Sequence, residues 1–198
     1  MGDGSIKQVA VISGPSGSGE SAITNAILAQ FPDRVRRLVT ATTRAPRPGE
    51  TYGVDYYFFS KEDFLAKQTA GEMLEVTHIE NRDVYYGTYA PDLQSKLDAG
   101  FVVLANTDGV GISFYKKHYG ATAIFIMPGD MTELLARLRT RNPEMSDEEL
   151  AQRQQNALKE VAEDRPLCDF TVINADQQLA AAVANVVAIL TREGYRLA

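Results

Sequence analysis

The segment Gly14-Pro-Ser-Gly-Ser-Gly-Glu-Ser21 is the stretch whose residue types and spacing point most directly to chemistry. Its glycines let successive backbone N–H groups turn inward, and a helix starting just after them adds its positive N-terminal end. With the spacing G-x-x-x-x-G-K-[ST], such a turn cradles phosphate oxygens, and the closing hydroxyl, here Ser21, ligates a magnesium ion. The candidate phosphate-binding residues are therefore Gly14, Pro15, Ser16, Gly17, Ser18, Gly19, Glu20, Ser21 and Ala22. A plain strand-to-helix turn rich in small residues is the alternative.

Glu20 breaks the pattern, because it stands where a lysine ammonium normally meets the β- and γ-phosphates. At about 4 Å and an effective dielectric near 20, one unit-charge pair is worth about 4 kcal/mol. Exchanging attraction for repulsion costs several kcal/mol, and every ~1.4 kcal/mol is a factor of ten in rate. Three outcomes are open: Glu20 swings out to solvent, a cation sits between it and the phosphates, or ATP binding is lost.

The elements that must hold the loop are legible on either side. Gln8-Val-Ala-Val-Ile-Ser-Gly14 is a short apolar, β-branched run that reads as a buried parallel strand. A helix follows to about Phe31, with Ile23, Ala26, Ile27 and Phe31 on one side. Between Pro32 and Ala90 the prolines, glycines and the aromatic run Tyr56-Tyr57-Phe58-Phe59 predict turns and short strands. Buried-strand character returns in Phe101-Val-Val-Leu-Ala-Asn-Thr-Asp108, Ala121-Thr-Ala-Ile-Phe-Ile-Met127 and Phe170-Thr-Val-Ile-Asn174. Asp130 with Glu133, and Ser146 with Glu149, have capping-box spacing at the heads of two helices, and Asn142-Pro143 stops the first. A last helix has Leu179, Val183, Val186 and Leu190 on its apolar face. Strands alternating with helices predict an α/β fold with a parallel sheet covered on both faces.

Composition narrows the function classes. The 198 residues are 44% hydrophobic and 23% charged, enough for a core without a disulfide or metal staple. The single cysteine, Cys168, cannot pair internally and reads as a small packed thiol. A net charge of −6 argues against general nucleic-acid binding. Residues 1–6 have neither the basic, apolar pattern of a leader nor a Ser or Thr at the sixth position of an acylation signal. No apolar run reaches membrane-spanning length. The expectation is a cytoplasmic protein without membrane or nucleic-acid partners, a monomer or weak homo-oligomer.

With the loop followed by Thr42-Thr-Arg-Ala-Pro-Arg-Pro-Gly-Glu-Thr-Tyr-Gly-Val-Asp-Tyr-Tyr-Phe58, the chain resembles the guanylate kinases, from about Val9 to Leu190. The resemblance implies a P-loop NTPase-type parallel sheet flanked by helices, with an inserted small GMP-binding lobe and a helical lid. The core would span about 6–32, 98–141 and 164–198, the lobe about 33–97 and the lid about 142–163. It implies transfer of the γ-phosphoryl group of ATP to GMP, with Mg²⁺ accompanying the ATP. Arg44 and Arg47, helped by Tyr56 and Tyr86, would hold the GMP phosphate, as guanidinium forks match phosphate oxygens. Thr40, Glu75, Thr88 and Asp108 would surround the guanine. A carboxylate such as Glu75 accepts from guanine N1–H and its exocyclic amine, whereas adenine has no such donor pair there.

The resemblance also implies that Arg137, Arg141 and Arg153 clamp the transferring phosphoryl. With Arg44, and with Glu20 in the lysine's place, they are the expected catalytic set. Arg139 matches no family arginine and is expected to face solvent. Asn174 matches a position near adenine. Ser21 and Asn106 are the expected metal ligands, although the family usually has aspartate at the place of Asn106. Lysine to Glu20 changes formal charge by −2 and aspartate to Asn106 by +1, a net −1. A monovalent cation near Glu20 is accordingly an expected cofactor. Two rivals to the kinase stand beside it. One is a non-catalytic module binding GMP or a phosphorylated or acidic peptide; the other is a kinase for another monophosphate or a phosphorylated sugar analogue.

Overall fold

The computed structural model describes residues 7–198. The expectations for residues 1–6, including a core that begins at residue 6, lie outside the described residues. In chain order the first elements are β1 (Val9–Ser13), α1 (Glu20–Gln30), β2 (Val35–Arg37), β3 (Thr40–Thr42), β4 (Tyr57–Phe58) and α2 (Lys61–Thr69). Then come β5 (Met73–Ile79), β6 (Val84–Tyr89), α3 (Ala90–Asp98), β7 (Val102–Asn106) and α4 (Gly109–Tyr119). The chain finishes with β8 (Thr122–Pro128), α5 (Met131–Arg141), α6 (Asp147–Glu163), β9 (Phe170–Asn174) and α7 (Leu179–Arg192).

Five strands form one sheet in the order β2-β7-β1-β8-β9, all parallel. Every residue of β1 is buried, which is why its sequence is apolar from Val9 to Ile12 instead of alternating. Ala10 and Ile12 face a cluster with Ile23 and Ile27 of α1 and Val186 and Leu190 of α7. Val9 and Val11 face the opposite cluster, with Leu93 of α3 and Ile112 and Tyr115 of α4. Helices thus cover both faces, and the carboxyl ends of β1 and β7 open into a cleft where such sheets bind ligands.

A second sheet, in the order β4-β3-β6-β5, lies between β2 and α3 in the chain. The sequence boundaries place 33–97 in the inserted lobe, but β2 pairs with β7 in the large sheet, so the second sheet begins only at Thr40. Three residues with one buried valine are too few to distinguish a core edge strand from a lobe strand by periodicity. Asp92, 7% exposed on α3, joins the two sheets. Its carboxylate accepts from Tyr57 Oη at 2.9 Å, from Val39 N at 3.2 Å and from Lys96 Nζ at 2.5 Å.

Local signals fared unevenly. Asp130 and Ser146 cap α5 and α6 through the backbone N–H of Glu133 and Glu149. The Glu133 carboxylate accepts from Gly129 N and Asp176 N, so it ties the head of α5 to the loop after β9. On α7, Val183, Val186 and Leu190 are buried, but Leu179, the first residue of the helix, is 40% exposed. Arg139, expected to face solvent, is half-buried and donates to Met145 O at 2.6 Å and to Asp147, bracing the α5–α6 connection. Cys168 is half-buried and unpaired, and burial pushes its thiol up to about 12. Among the described residues no helix is long and apolar enough to cross a membrane.

Candidate functional site

The loop 14–19 joins β1 to α1 and lines a cavity of about 580 Å³. Two of its glycines are required. Gly14, at φ 155°, abuts the carbonyl of Ile126, and Gly19, at φ 98°, abuts the side-chain amide of Asn174, so a Cβ at either would collide. Gly19 is also the N-cap of α1 and provides no side-chain cap. The first N–H groups of α1 are thus left for a ligand, as an anion site requires. Gly14, Ser16, Gly17, Gly19, Glu20, Ser21 and Ala22 line the cavity. Pro15 and Ser18 are buried beneath it, where Ser18 N donates to Pro15 O at 2.8 Å and closes the turn.

Glu20 has not swung out to solvent. It is half-buried on the cavity wall, and its Oε1 accepts from Ser18 Oγ at 3.4 Å. Burial, reinforced by the nearby Glu160 carboxylate, pushes Glu20 up to about 8. Glu160 lies on α6 and takes a backbone hydrogen bond from Ser16; it too is pushed upward, mainly by burial and also by Asp164 and Asp108. Glu160 and Asp164 both line the cavity, and nothing in their sequence context marked them, since on a charged helix they read as a solvated face.

Asn174, expected near a base, is 5% exposed and does not line the cavity. Its Nδ2 donates to Ser18 O at 2.8 Å, so the residue anchors the loop from behind. Arg137 departs from its expected place in a similar way. It touches the cavity, but it donates to Asp176 Oδ1 at 2.7 and 2.9 Å, to Asn174 O at 2.9 Å, and more distantly to Gly17 O and Ser18 O. With its donors committed to loop carbonyls and a carboxylate, it braces the loop. One turn further along α5, Arg141 joins Arg47 and Arg153 around a second cavity of about 430 Å³, with Ser16 on its wall. Arg141 lines both cavities.

A third cavity, of about 190 Å³, is lined by Thr40, Tyr56, Glu75 and Tyr86, with Thr77, Ile79 and Gly87, and by Asn106, Thr107 and Asp108. The last three also line the large cavity, so the two spaces meet at the carboxyl end of β7. Thr77 and Ile79 were missed, though they follow Glu75 at every second position of β5, the spacing of one strand face. Thr88 is fully buried behind Glu75, donating to its Oε1 at 2.9 Å, and does not itself line the space. Asp108 has a second role as the N-cap of α4, accepting from Val110 N and Gly111 N.

Arg44 and Arg47 separate. Arg44 makes a bidentate pair with Glu50, both contacts at 2.7 Å, and lies 4.9 Å from the Tyr56 ring. That pair raises the guanidinium and, with the backbone N–H of Arg47, lowers Glu50 to about 2. Glu50 stands inside the Arg44–Phe58 string, but its role depended on a partner that the string alone did not reveal.

The guanylate kinase family model matches residues 6–193. The chain belongs to the guanylate kinase family. It is 37% identical over 187 residues to a guanylate kinase of Symbiobacterium thermophilum, covering 94% of this chain and 85% of that one. It is 36% identical to one from Porphyromonas gingivalis, over 90% of this chain and 97% of that one. The crystal structure of a guanylate kinase from Anaplasma phagocytophilum superposes with a TM-score of 0.72 at 26% identity, covering 97% of this chain and 88% of that one. The α/β architecture with its helix-flanked parallel sheet is that of the family, and phosphotransfer of the guanylate kinase type is the chemistry the relationship supports.

The family implies magnesium. Among the described residues no group of three or more His, Cys, Asp or Glu is arranged to hold a metal ion. Magnesium takes one or two protein oxygens alongside substrate phosphates and its own waters. Ser21 and Asn106 both line the large cavity. Asn106 Oδ1 accepts from Thr24 Oγ1 at 3.1 Å, while its buried Nδ2 has no partner. A half-turn of the amide would give Nδ2 to the Thr24 hydroxyl and release Oδ1, a hard oxygen donor, toward the cavity.

Proposed function

We propose that this guanylate kinase family member transfers the γ-phosphoryl group of ATP to GMP, giving ADP and GDP, in cytoplasmic purine-nucleotide metabolism. The observation that carries the reading is the junction of the two cavities at residues 106–108. A triphosphate cradled by the loop and a monophosphate in the smaller cavity would lie on either side of that junction, in one connected space. An oxygen of the GMP phosphate attacks the γ-phosphorus, and the bond to the β–γ bridging oxygen breaks, its electron pair leaving with ADP. Catalysis here needs position and charge stabilisation more than a base.

In this reading the N–H groups of the loop and of α1 hold the triphosphate. Arg47, Arg141 and Arg153 converge beside Ser16, where they would neutralise charge spreading over the transferred group. Arg44, held by Glu50 against Tyr56, presents its remaining donors to the GMP phosphate together with Tyr86. Glu75, Thr40 and Asp108 read the base. Magnesium, held by Ser21 and Asn106, would offset phosphate charge when bound.

The missing lysine is met by a proton on Glu20. With its carboxyl pushed up to about 8, Glu20 is mostly neutral at pH 7 and offers an O–H donor where a carboxylate would repel. A monovalent cation beside the ionised carboxylate is the competing account. The test is ADP production from ATP, Mg²⁺ and GMP, with AMP, UMP and CMP as comparators, beside Glu20→Lys and with or without K⁺. Turnover selective for GMP supports the kinase, and a requirement for K⁺ favours the cation over the proton. GMP binding without turnover, restored in Glu20→Lys, would make the chain a binding module.

A further inference from the structure

Behind the smaller cavity runs a hydrogen-bond chain that the roles above leave unused. Tyr115, on α4, heads the fully buried side chains by volume and is 0% exposed within an apolar cluster. A phenol at that depth must find a partner for its O–H or forfeit about 1–3 kcal/mol. The partner is Thr88 Oγ1, also 0% exposed, and Thr88 in turn donates to Glu75 Oε1 at 2.9 Å. Proton counting fixes the direction. An ionised carboxylate only accepts, so the one Thr88 hydroxyl proton goes to Glu75, and Thr88 must accept from Tyr115.

We propose that Tyr115 is a positioning residue for base selection: acting through Thr88, it orients Glu75 and keeps it ionised, so that this carboxylate meets the base as an acceptor alone. This rests on the reading of that cavity as the GMP site. The charge state of Glu75 decides which base fits. An ionised carboxylate accepts from the N1–H and the amine of guanine. A protonated one presents one donor and one acceptor, the pattern adenine's N1 and amine require. Burial and the nearby Asp108 favour the protonated form of Glu75, and the Thr88 hydroxyl opposes them. The other titratable groups facing Glu75 are Tyr56 and Tyr86 across the cavity and Tyr115 itself; among the described residues no Lys, Arg or His lines the space. On α2, packed against β5, Lys67 is already paired with Glu72. The neutral chain from Tyr115 is thus the support available to the charged carboxylate, and burial keeps the phenol protonated.

The test measures GMP and AMP affinity by calorimetry on the full chain between about pH 5 and 8, for the native protein, Tyr115→Phe, Thr88→Val and Thr88→Ser. The ratio of the two affinities cancels the titration of the shared phosphate near pH 6. Severing the chain should push the Glu75 titration further upward, so Tyr115→Phe and Thr88→Val should lose about tenfold in the GMP:AMP ratio at the acid end and much less at pH 8. Thr88→Ser, which keeps the hydroxyl, should follow the native protein. In turnover, KM for GMP should rise in Tyr115→Phe while kcat at saturating GMP holds. A lowered melting temperature with the native GMP:AMP ratio at every pH would assign Tyr115 to packing and overturn the inference. Absence of GMP binding in the native chain would instead overturn the functional reading beneath it.

Discussion

Replacing Glu20 by glutamine should remove a pH dependence of triphosphate binding that the native chain carries. Glu20 sits at the head of α1, on the cavity wall, with its carboxyl pushed up to about 8 by burial and by Glu160. At pH 7 roughly nine carboxyls in ten are neutral; each pH unit above 8 removes about a further tenfold of that form. If only the neutral form accepts the phosphates, Mg-ATP affinity falls toward tenfold, about 1.4 kcal/mol, per unit above pH 8. The fall levels off when the full repulsion is reached, about 4 kcal/mol at ~4 Å and an effective dielectric near 20. Calorimetric titration with Mg-ATP between about pH 7 and 9.5 stays above the phosphate's own titration near 6. The native chain should weaken by about 30-fold between pH 7 and 9.5, and Glu20→Gln should stay nearly flat. Parallel curves for the two proteins, or tighter native binding in alkali, would refute the proton account. Stability gives an independent reading. The folded-state value of about 8 lies above the ordinary 4.5, so the contribution of Glu20 to stability is fully present below pH 4.5 and is lost as pH rises toward 8. Glu20→Gln should therefore be the more stable protein at pH 8 and above, by about 2–3 kcal/mol after discounting for partial exposure.

Three further outcomes are expected. Glu75→Ala should erode the preference for GMP over AMP in steady-state KM while sparing affinity for the phosphate; equal loss for every base would contradict its role. Arg141→Ala and Arg153→Ala should each lower kcat by about 10²–10³ with a smaller change in KM for GMP, whereas Arg137→Ala should also lower the melting temperature, because it releases the loop carbonyls and Asp176. Asp92→Ala should cost about 3 kcal/mol in denaturant unfolding, since it strands Lys96, the Val39 N–H and the Tyr57 hydroxyl between the two sheets; a loss below about 0.5 kcal/mol would show that this junction contributes little.

The parts legible in the sequence share a physical trait: they are set over a few residues. The apolar run of β1 signals burial on both faces because a parallel strand between helices has no polar side. The glycines at 14, 17 and 19 signal a phosphate loop because their positive φ excludes side chains. Ser146 and Asp130 cap helices because the N–H they meet is three residues away. Glu75 marked its strand face, and the alternation that follows it also contained Thr77 and Ile79.

What only the tertiary structure decided is where long-range partners come from. Arg137 and Arg141 lie on one helix with the same chemistry, yet the first is bound to Asp176 and loop carbonyls and the second opens onto two cavities. Asn174 and Thr88 carry groups suited to a base, but packing turns them toward Ser18 and Glu75. The sequence by itself determined the family, the sheet, the loop and the inventory of arginines, tyrosines and carboxylates. The fold alone decided that Glu20 lies near Glu160 and that Tyr115 reaches Glu75 through Thr88, because the protonation and direction of a polar group depend on what burial places against it.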